Sequence, residues 1–185
     1  MNTKQAHIDG LIIIDPVIHK DSRGMFWEAW QAERYAEHGI DDTFVQDNIS
    51  YSRRDVLRGL HFQQPYGQGK LVQVLEGEVL DIAVDLRFGS PTFGQWVAVL
   101  LSSKNRRQMY IPEGFAHGFC VTSEEALFSY KCTRYYNPDT EHGLLWNDPA
   151  INIQWPTDSP LISEKDAQAK MLSEYGKDEL PQYKG

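Results

Sequence analysis

The chain has 185 residues, 41% of them hydrophobic and 24% charged, the proportions of an ordinary soluble globular protein. That length predicts one domain, residues 1–185, able to bury a sizeable core. A formal net charge of -8 argues against nucleic acid as a partner, and no apolar run reaches the length of a membrane span.

From the N-terminus, residues 1–10 are mixed polar and lack the apolar stretch of a secretory leader, so a cytoplasmic protein is expected. Residues 11–14 form a brief β-branched run, 21–24 read as a turn and 25–30 as the next strand. Residues 31–38 carry the early helical pattern, closed by Gly39 where a helix end favours glycine. Residues 44–52 alternate, with Gln46, Asn48, Ser50 and Ser52 on one face and Val45, Asp47, Ile49 and Tyr51 on the other. A hairpin is predicted from strand 70–75, a Glu76-Gly77 turn and strand 79–86. After a turn at 90–94 come strands at 95–101, 109–111, 115–121 and 126–136. A short amphipathic helix is predicted over 163–175, with a solvated tail beyond it. Short strands about 8–12 residues apart, separated by turn chemistry, predict an all-β sandwich or barrel. Cys120 and Cys132 fall in apolar strand-like runs without metal-binding spacing and read as buried thiols of a reducing compartment.

The densest chemical signal is Val56-Leu57-Arg58-Gly59-Leu60-His61-Phe62-Gln63, followed by Gln68-Gly69-Lys70-Leu71-Val72. Arg58, His61 and Lys70 sit on segments that otherwise read as buried strand. Burying a cation or an imidazole costs roughly several kcal/mol unless something pairs with it. Their clustering points to an anionic ligand and a proton-transfer group in one cavity, with Arg23, Arg58, Lys70 and Lys165 as a positive enclave in an acidic protein. Arg58 and His61 are three apart, and a regular strand sends such residues to opposite faces. If both line the cavity, Gly59 marks a bulge or kink. Taken alone, His61 reads as a satisfied core histidine, Lys70 as a solvated strand start, Tyr130 as a core aromatic and Asp166 as helix surface. His117, in Pro112-Glu113-Gly114-Phe115-Ala116-His117, matches the second motif of cupin barrels, where that histidine binds metal. The first cupin motif needs His-x-His and a downstream Glu, whereas this chain has His61-Phe62-Gln63, a poor metal site.

Further runs complete a larger pattern: Asp21-x-Arg23-Gly24-x-Phe26-x-Glu28, Gln46-Asp47-Asn48-x-Ser50, Ser90-Pro91-Thr92-Phe93-Gly94, Tyr130-Lys131-x-Thr133 and Trp146-Asn147-Asp148-Pro149. In order over residues 8–170, they resemble the dTDP-4-dehydrorhamnose 3,5-epimerase family, metal-independent cupin-fold enzymes of dTDP-L-rhamnose biosynthesis. The resemblance implies an all-β, cupin-type jelly-roll β-barrel with a few short peripheral helices. It implies inversion at C3 and C5 of dTDP-4-dehydro-6-deoxy-D-glucose by proton abstraction beside the C4 ketone, with no cofactor and no metal. His61 takes the role of base, Asp166 orients it, Lys70 stands by the enolate oxygen and Tyr130 returns a proton from the opposite face. Arg23 and Arg58 suit the diphosphate. Glu28, Gln46, Asp47 and Asn48 match nucleotide contacts, and Phe26 or Tyr136 is placed to stack on thymine. His117 would contact the sugar, with Asp81 orienting it, and Glu141 and Lys165 match further substrate contacts. Family members are homodimers in which the Arg23 region completes the neighbouring site, and their product feeds cell-surface polysaccharide. The loop between Gln63 and Gln68 is slightly shorter than the family pattern. Competing readings are a ketoisomerase or a C3-only or C5-only epimerase on the same fold, a metal-dependent cupin enzyme, and a non-catalytic nucleotide-sugar binding module.

Overall fold

The computed structural model describes residues 1–184; Gly185, the last residue of the expected domain, lies outside the described residues. The strands run β1 (Asn2–Gln5), β2 (Ile12–Asp15), β3 (Ile18–Asp21), β4 (Gly24–Trp27), β5 (Gln46–Arg53), β6 (Leu57–Gln63) and β7 (Lys70–Glu76). They continue as β8 (Glu78–Asp85), β9 (Trp96–Ser102), β10 (Gln108–Ile111), β11 (Phe115–Val121), β12 (Glu125–Cys132) and β13 (Glu141–Gly143). Two short helices, α1 (Ala32–Ala36) and α2 (Glu164–Ala167), and 3₁₀ turns at Leu172–Glu174 and Lys177–Glu179 lie at the periphery.

Two antiparallel sheets, ordered β1-β2-β10-β7-β12-β5 and β13-β6-β11-β8-β9, face each other, and β3 and β4 form a separate hairpin. This is the all-β, two-sheet architecture that the turn spacing anticipated, and the cupin-type jelly roll that the family resemblance implies. Between the sheets Val72, Val74, Met109 and Phe128 meet Val79, Ala83, Phe115 and Phe119. The Phe119 and Phe128 rings stack at 4.2 Å, and truncating such a ring to alanine costs about 3–5 kcal/mol. Every residue of β11 is buried, because its outer face is also covered, by Leu144, Ile151, Ile153 and Leu180 of the C-terminal segment. On the other sheet, Tyr35 and Ile40 cover Ile12, Ile14, Leu71 and Tyr110. Farther along that outer face, Val45, Ile49 and Tyr51 of β5 and its approach stay exposed.

The predicted irregularity at Gly59 is present. Along β6 and β11, His61 pairs with His117 and Arg58 with Phe119, so β6 carries one extra residue between the two pairs. Gly59 absorbs it at φ +108, where a Cβ would stand 2.6 Å from the His117 carbonyl oxygen.

Several boundaries differ from the sequence expectation. β1 is polar and was not anticipated; it is made a strand by pairing with β2. The strand expected over 25–30 ends at Trp27, and the early helix shortens to α1, capped by the Gln31 side chain. The strand expected over 126–136 stops at Cys132, because Gln46 and Gln63 side chains accept the backbone N–H groups of Tyr136 and Asn137. The C-terminal helix reduces to α2, since Lys170 leaves it to bridge Leu144. The tail is not solvated throughout: Leu180 is buried and the Phe88 N–H donates to the Pro181 carbonyl at 2.6 Å.

Candidate active site

A cavity of about 420 Å³ opens between the sheets, walled by Arg58, His61, Lys70, His117, Tyr130, Tyr136, Glu141, Lys165 and Asp166. The bulge at Gly59 lets Arg58 and His61, three residues apart, reach the same hollow. Lys70 enters from β7, where it lies opposite Cys132 of β12 and Ile111 of β10. Tyr130 lies two residues before Cys132 on the same inward face, opposite Asn48.

His61 Nε2 is 2.7 Å from Asp166 Oδ1. The second Asp166 oxygen accepts the Gly59 N–H at 3.3 Å, and Ser163 Oγ accepts the Asp166 N–H at 3.1 Å, capping α2. Burial works to raise the Asp166 carboxyl, but the His61 hydrogen bond, the His61 charge and the Gly59 amide together hold it below its ordinary value. It stays a carboxylate and fixes the imidazole's orientation, as carboxylate partners of histidine do.

Behind this pair lies a second one. His117 Nε2 is 3.0 Å from both oxygens of Asp81, as the inward position of Asp81 suggested. Burial pushes the Asp81 carboxyl up and the His117 imidazole down, so this pair resists separating charge. Burial also pulls the Lys70 ammonium down, opposed by the negative potential of Cys132, Asp81 and Glu141. The Tyr130 phenol is pushed up, chiefly by burial, and keeps its O–H as a donor at neutral pH.

Around the mouth, Arg58 Nε donates to Ser52 Oγ at 3.0 Å. Glu141 accepts from Tyr136 Oη at 3.0 Å and pairs with Lys165. Gln46 and Asn48 share the inward face and hydrogen-bond each other at 3.0 Å. Other predicted residues lie elsewhere. Asp47 points to the outer face and pairs with Lys131 at 2.9 Å. Arg23 and Phe26 belong to the β3–β4 hairpin and Glu28 follows it, all outside both large sheets and outside this cavity. There Arg23 pairs with Asp21, Phe26 is 68% exposed and Glu28 pairs with Arg34.

The sequence reading did not assign Ser50 or Phe128 to the wall, nor Ser163 to the support of Asp166. The spacing Ser163-x-x-Asp166 is a helix-capping signature that points to the last of these. Among the described residues, Ser50 Oγ is the one buried side-chain polar atom without a hydrogen-bond partner, and it lines this cavity. Also among the described residues, no group of three or more His, Cys, Asp or Glu side chains is arranged to hold a metal ion. No helix among them is long and apolar enough to cross a membrane.

A jelly-roll barrel whose hollow joins an imidazole–carboxylate pair to an ammonium and a phenol defines a cupin-type enzyme equipped for proton transfer. The sequence profile of the dTDP-4-dehydrorhamnose 3,5-epimerase family matches residues 5–174, and the chain belongs to that family. The dTDP-4-dehydrorhamnose 3,5-epimerase of Methanothermobacter thermautotrophicus is 51% identical over 173 residues, covering 92% of this chain and 94% of the relative. A crystal structure of the dTDP-6-deoxy-D-glucose-3,5-epimerase RmlC of Legionella pneumophila, in complex with dTDP-4-keto-L-rhamnose, is similar at a TM-score of 0.96 and 54% identity, covering 100% and 99% of the two chains. The dTDP-4-dehydrorhamnose 3-epimerase of Streptomyces niveus is 42% identical, covering 94% of this chain and 85% of the relative.

Proposed function

We propose that the chain, as a single epimerase domain, inverts C3 and C5 of dTDP-4-dehydro-6-deoxy-D-glucose, giving dTDP-4-dehydro-L-rhamnose. The observation that carries this reading is the His61–Asp166 pair sharing one cavity with Lys70 and Tyr130. Relatives at about half identity over nearly the whole chain bear the name of this activity.

The chemistry follows from the ketone. The C4 carbonyl acidifies the C–H bonds at C3 and C5. His61 takes the proton, and the electron pair of the broken C–H bond moves to make an enolate with its charge on the C4 oxygen. A positioned base of this kind contributes roughly 10²–10⁴-fold. Lys70 donates to the enolate oxygen, a contribution worth about 2.7–4 kcal/mol in a closed site. Tyr130 donates its O–H proton to carbon from the opposite face, which inverts the centre. Exchange with solvent then removes the proton from His61 and restores that of Tyr130. The substrate's own ketone supplies the acidity, so the reaction calls for no redox cofactor. Arg58 takes the diphosphate, His117 the sugar, and Gln46 and Asn48 the nucleotide, with Tyr136 stacked on the base. Ser50, a polar wall atom without a protein partner, fits a surface that a polar ligand completes.

We further propose a homodimer in which the β3–β4 hairpin enters the neighbour's site with Arg23, Phe26 and Glu28, and in which Asp47 serves at that shared edge. The exposed Phe26 and the apolar face of Val45, Ile49 and Tyr51 support it, since exposed apolar patches mark interaction surfaces. Two free, buried cysteines suit a reducing cytoplasm, and the product suits rhamnose-bearing surface polysaccharide. A second reading, inversion at C3 alone, draws on the Streptomyces niveus relative named a 3-epimerase.

Incubating the protein with dTDP-4-keto-6-deoxyglucose in heavy water and following C3 and C5 by NMR tests both. Deuterium at both carbons is the expected result. Label at C3 alone selects the second reading, and label at neither carbon removes the proposal.

A further inference from the structure

We infer that Glu141 is a second carboxylate for the base, a positioning residue that acts through Nδ1 of His61 and stabilises the imidazolium formed when that nitrogen takes the substrate's proton. The inference rests on the epimerase reading of the same site.

Asp166 engages Nε2 at 2.7 Å. Nε2 therefore carries the ring hydrogen of the neutral imidazole, and the reactive lone pair is on Nδ1. Glu141 Oε1 lies 3.8 Å from Nδ1, too far for a hydrogen bond and near enough for a strong charge interaction. The strand register creates this approach. Gly143 stands opposite His61 and Glu141 opposite Gln63, so Glu141 is the diagonal neighbour of His61, within reach of a long side chain. Gly143 itself places no side chain across from the imidazole.

The carboxylate is also aimed. Tyr136 and Lys165 both engage Oε2, which leaves Oε1 toward the ring. Lys165 and Asp166 are consecutive residues of α2, so one helical turn supplies the carboxylate at Nε2 and the cation that holds the Glu141 carboxylate near Nδ1. Burial works to raise the Glu141 carboxyl, but the Lys165 hydrogen bond, the His61 charge and the Tyr136 hydroxyl hold it below its ordinary value.

The remaining groups facing the ring explain why a second anion is needed. Arg58 from β6 and Lys70 from β7 share the hollow, with Tyr130 from β12 and His117 from β11 backed by Asp81 from β8. An imidazolium formed among Arg58 and Lys70 meets two cations, and Asp166 alone is set against them. Glu141, moderated by Lys165, redresses that balance.

The test is Glu141→Gln, which keeps the shape and an acceptor for Tyr136. The expected result is a kcat lowered about tenfold with KM within about twofold, and an acid limb of the kcat/KM–pH profile moved about one unit lower. Lys165→Met, which unmasks the Glu141 charge, is expected to move that limb the other way. Nitrogen-15 NMR of the His61 ring in the resting protein is expected to show Nε2–H, and a titration midpoint that falls in the Glu141→Gln protein. A raised KM with unchanged kcat, acid limb and ring titration overturns the inference, as does a resting ring protonated on Nδ1. Absence of exchange by the native protein overturns instead the epimerase reading, and the ring titration, which needs no substrate, still decides whether Glu141 is coupled to His61.

Discussion

His61 and His117 face each other directly across the β6–β11 ladder, and each has a carboxylate on Nε2. The two pairs differ in setting. The His61 side chain is 28% exposed at the cavity, and its partner Asp166 is held in the charged form by the ring, an amide and a helix cap. The His117 side chain is 7% exposed over a fully buried Asp81, and burial drives both groups toward their neutral forms. One chemical pair thus occurs in two settings, one open to the cavity and one sealed in the core. The drier pair supplies a rigid polar floor beneath Lys70. Both inward histidines are thus engaged through Nε2 by a carboxylate.

Stability is where the two pairs should part most widely. His117→Ala leaves the buried, neutral Asp81 carboxyl without its partner, and urea unfolding should show a loss of roughly 1–3 kcal/mol. His61→Ala, at the cavity wall, should unfold within about 1 kcal/mol of the native protein. Equal losses would mean that the two settings do not differ as described.

Lys70 ties the floor to the reaction, and its replacement should move activity and stability in opposite directions. Lys70→Met should lower turnover about 10²–10³-fold. Burial holds the ammonium below its ordinary 10.5, so the unfolded chain binds that proton more tightly and the site costs stability at neutral pH. The variant should therefore be more stable at pH 7, and its advantage should fade as pH rises toward 10.5. A variant that is less stable at every pH would argue that Lys70 is a structural cation.

Asp166 gives the smallest effect and the clearest pH signature. Its folded carboxyl lies below the ordinary 3.8, so its stabilisation is complete above that value and is lost as pH falls through the folded one. The unfolding free energies of native protein and Asp166→Asn should differ by about 1 kcal/mol near neutrality and converge in acid. A difference independent of pH would remove the charge of Asp166 from the account.

Much of this site was legible in the chain because its residues break a rule of burial. Arg58, His61 and Lys70 stand out against apolar strand, and the three-residue spacing of Arg58 and His61 demanded the irregularity that Gly59 provides. The alternation likewise set Gln46 and Asn48 on one face, the less exposed face of β5 in the structure. What stayed hidden depended on long-range pairing. β13 is three residues long and exists only because β6 offers an edge, so the approach of Glu141 to His61 has no local signal. The tail departs from its solvated expectation for the same reason: Leu180 and Pro181 are buried by contacts with distant segments, not by their own pattern. The exposed hairpin with Arg23 and Phe26 carries family motifs but no contact with the cavity of its own chain, a separation that local sequence does not encode.

The claim beneath all of this is that His61 removes the carbon-bound proton. Deuterium uptake at C3 and C5 of the 4-keto sugar by the His61→Ala protein, measured against the native protein at matched concentration, tests it most directly. Uptake at both carbons should fall by at least about 10²-fold, while uptake persisting at the native rate would contradict the assignment.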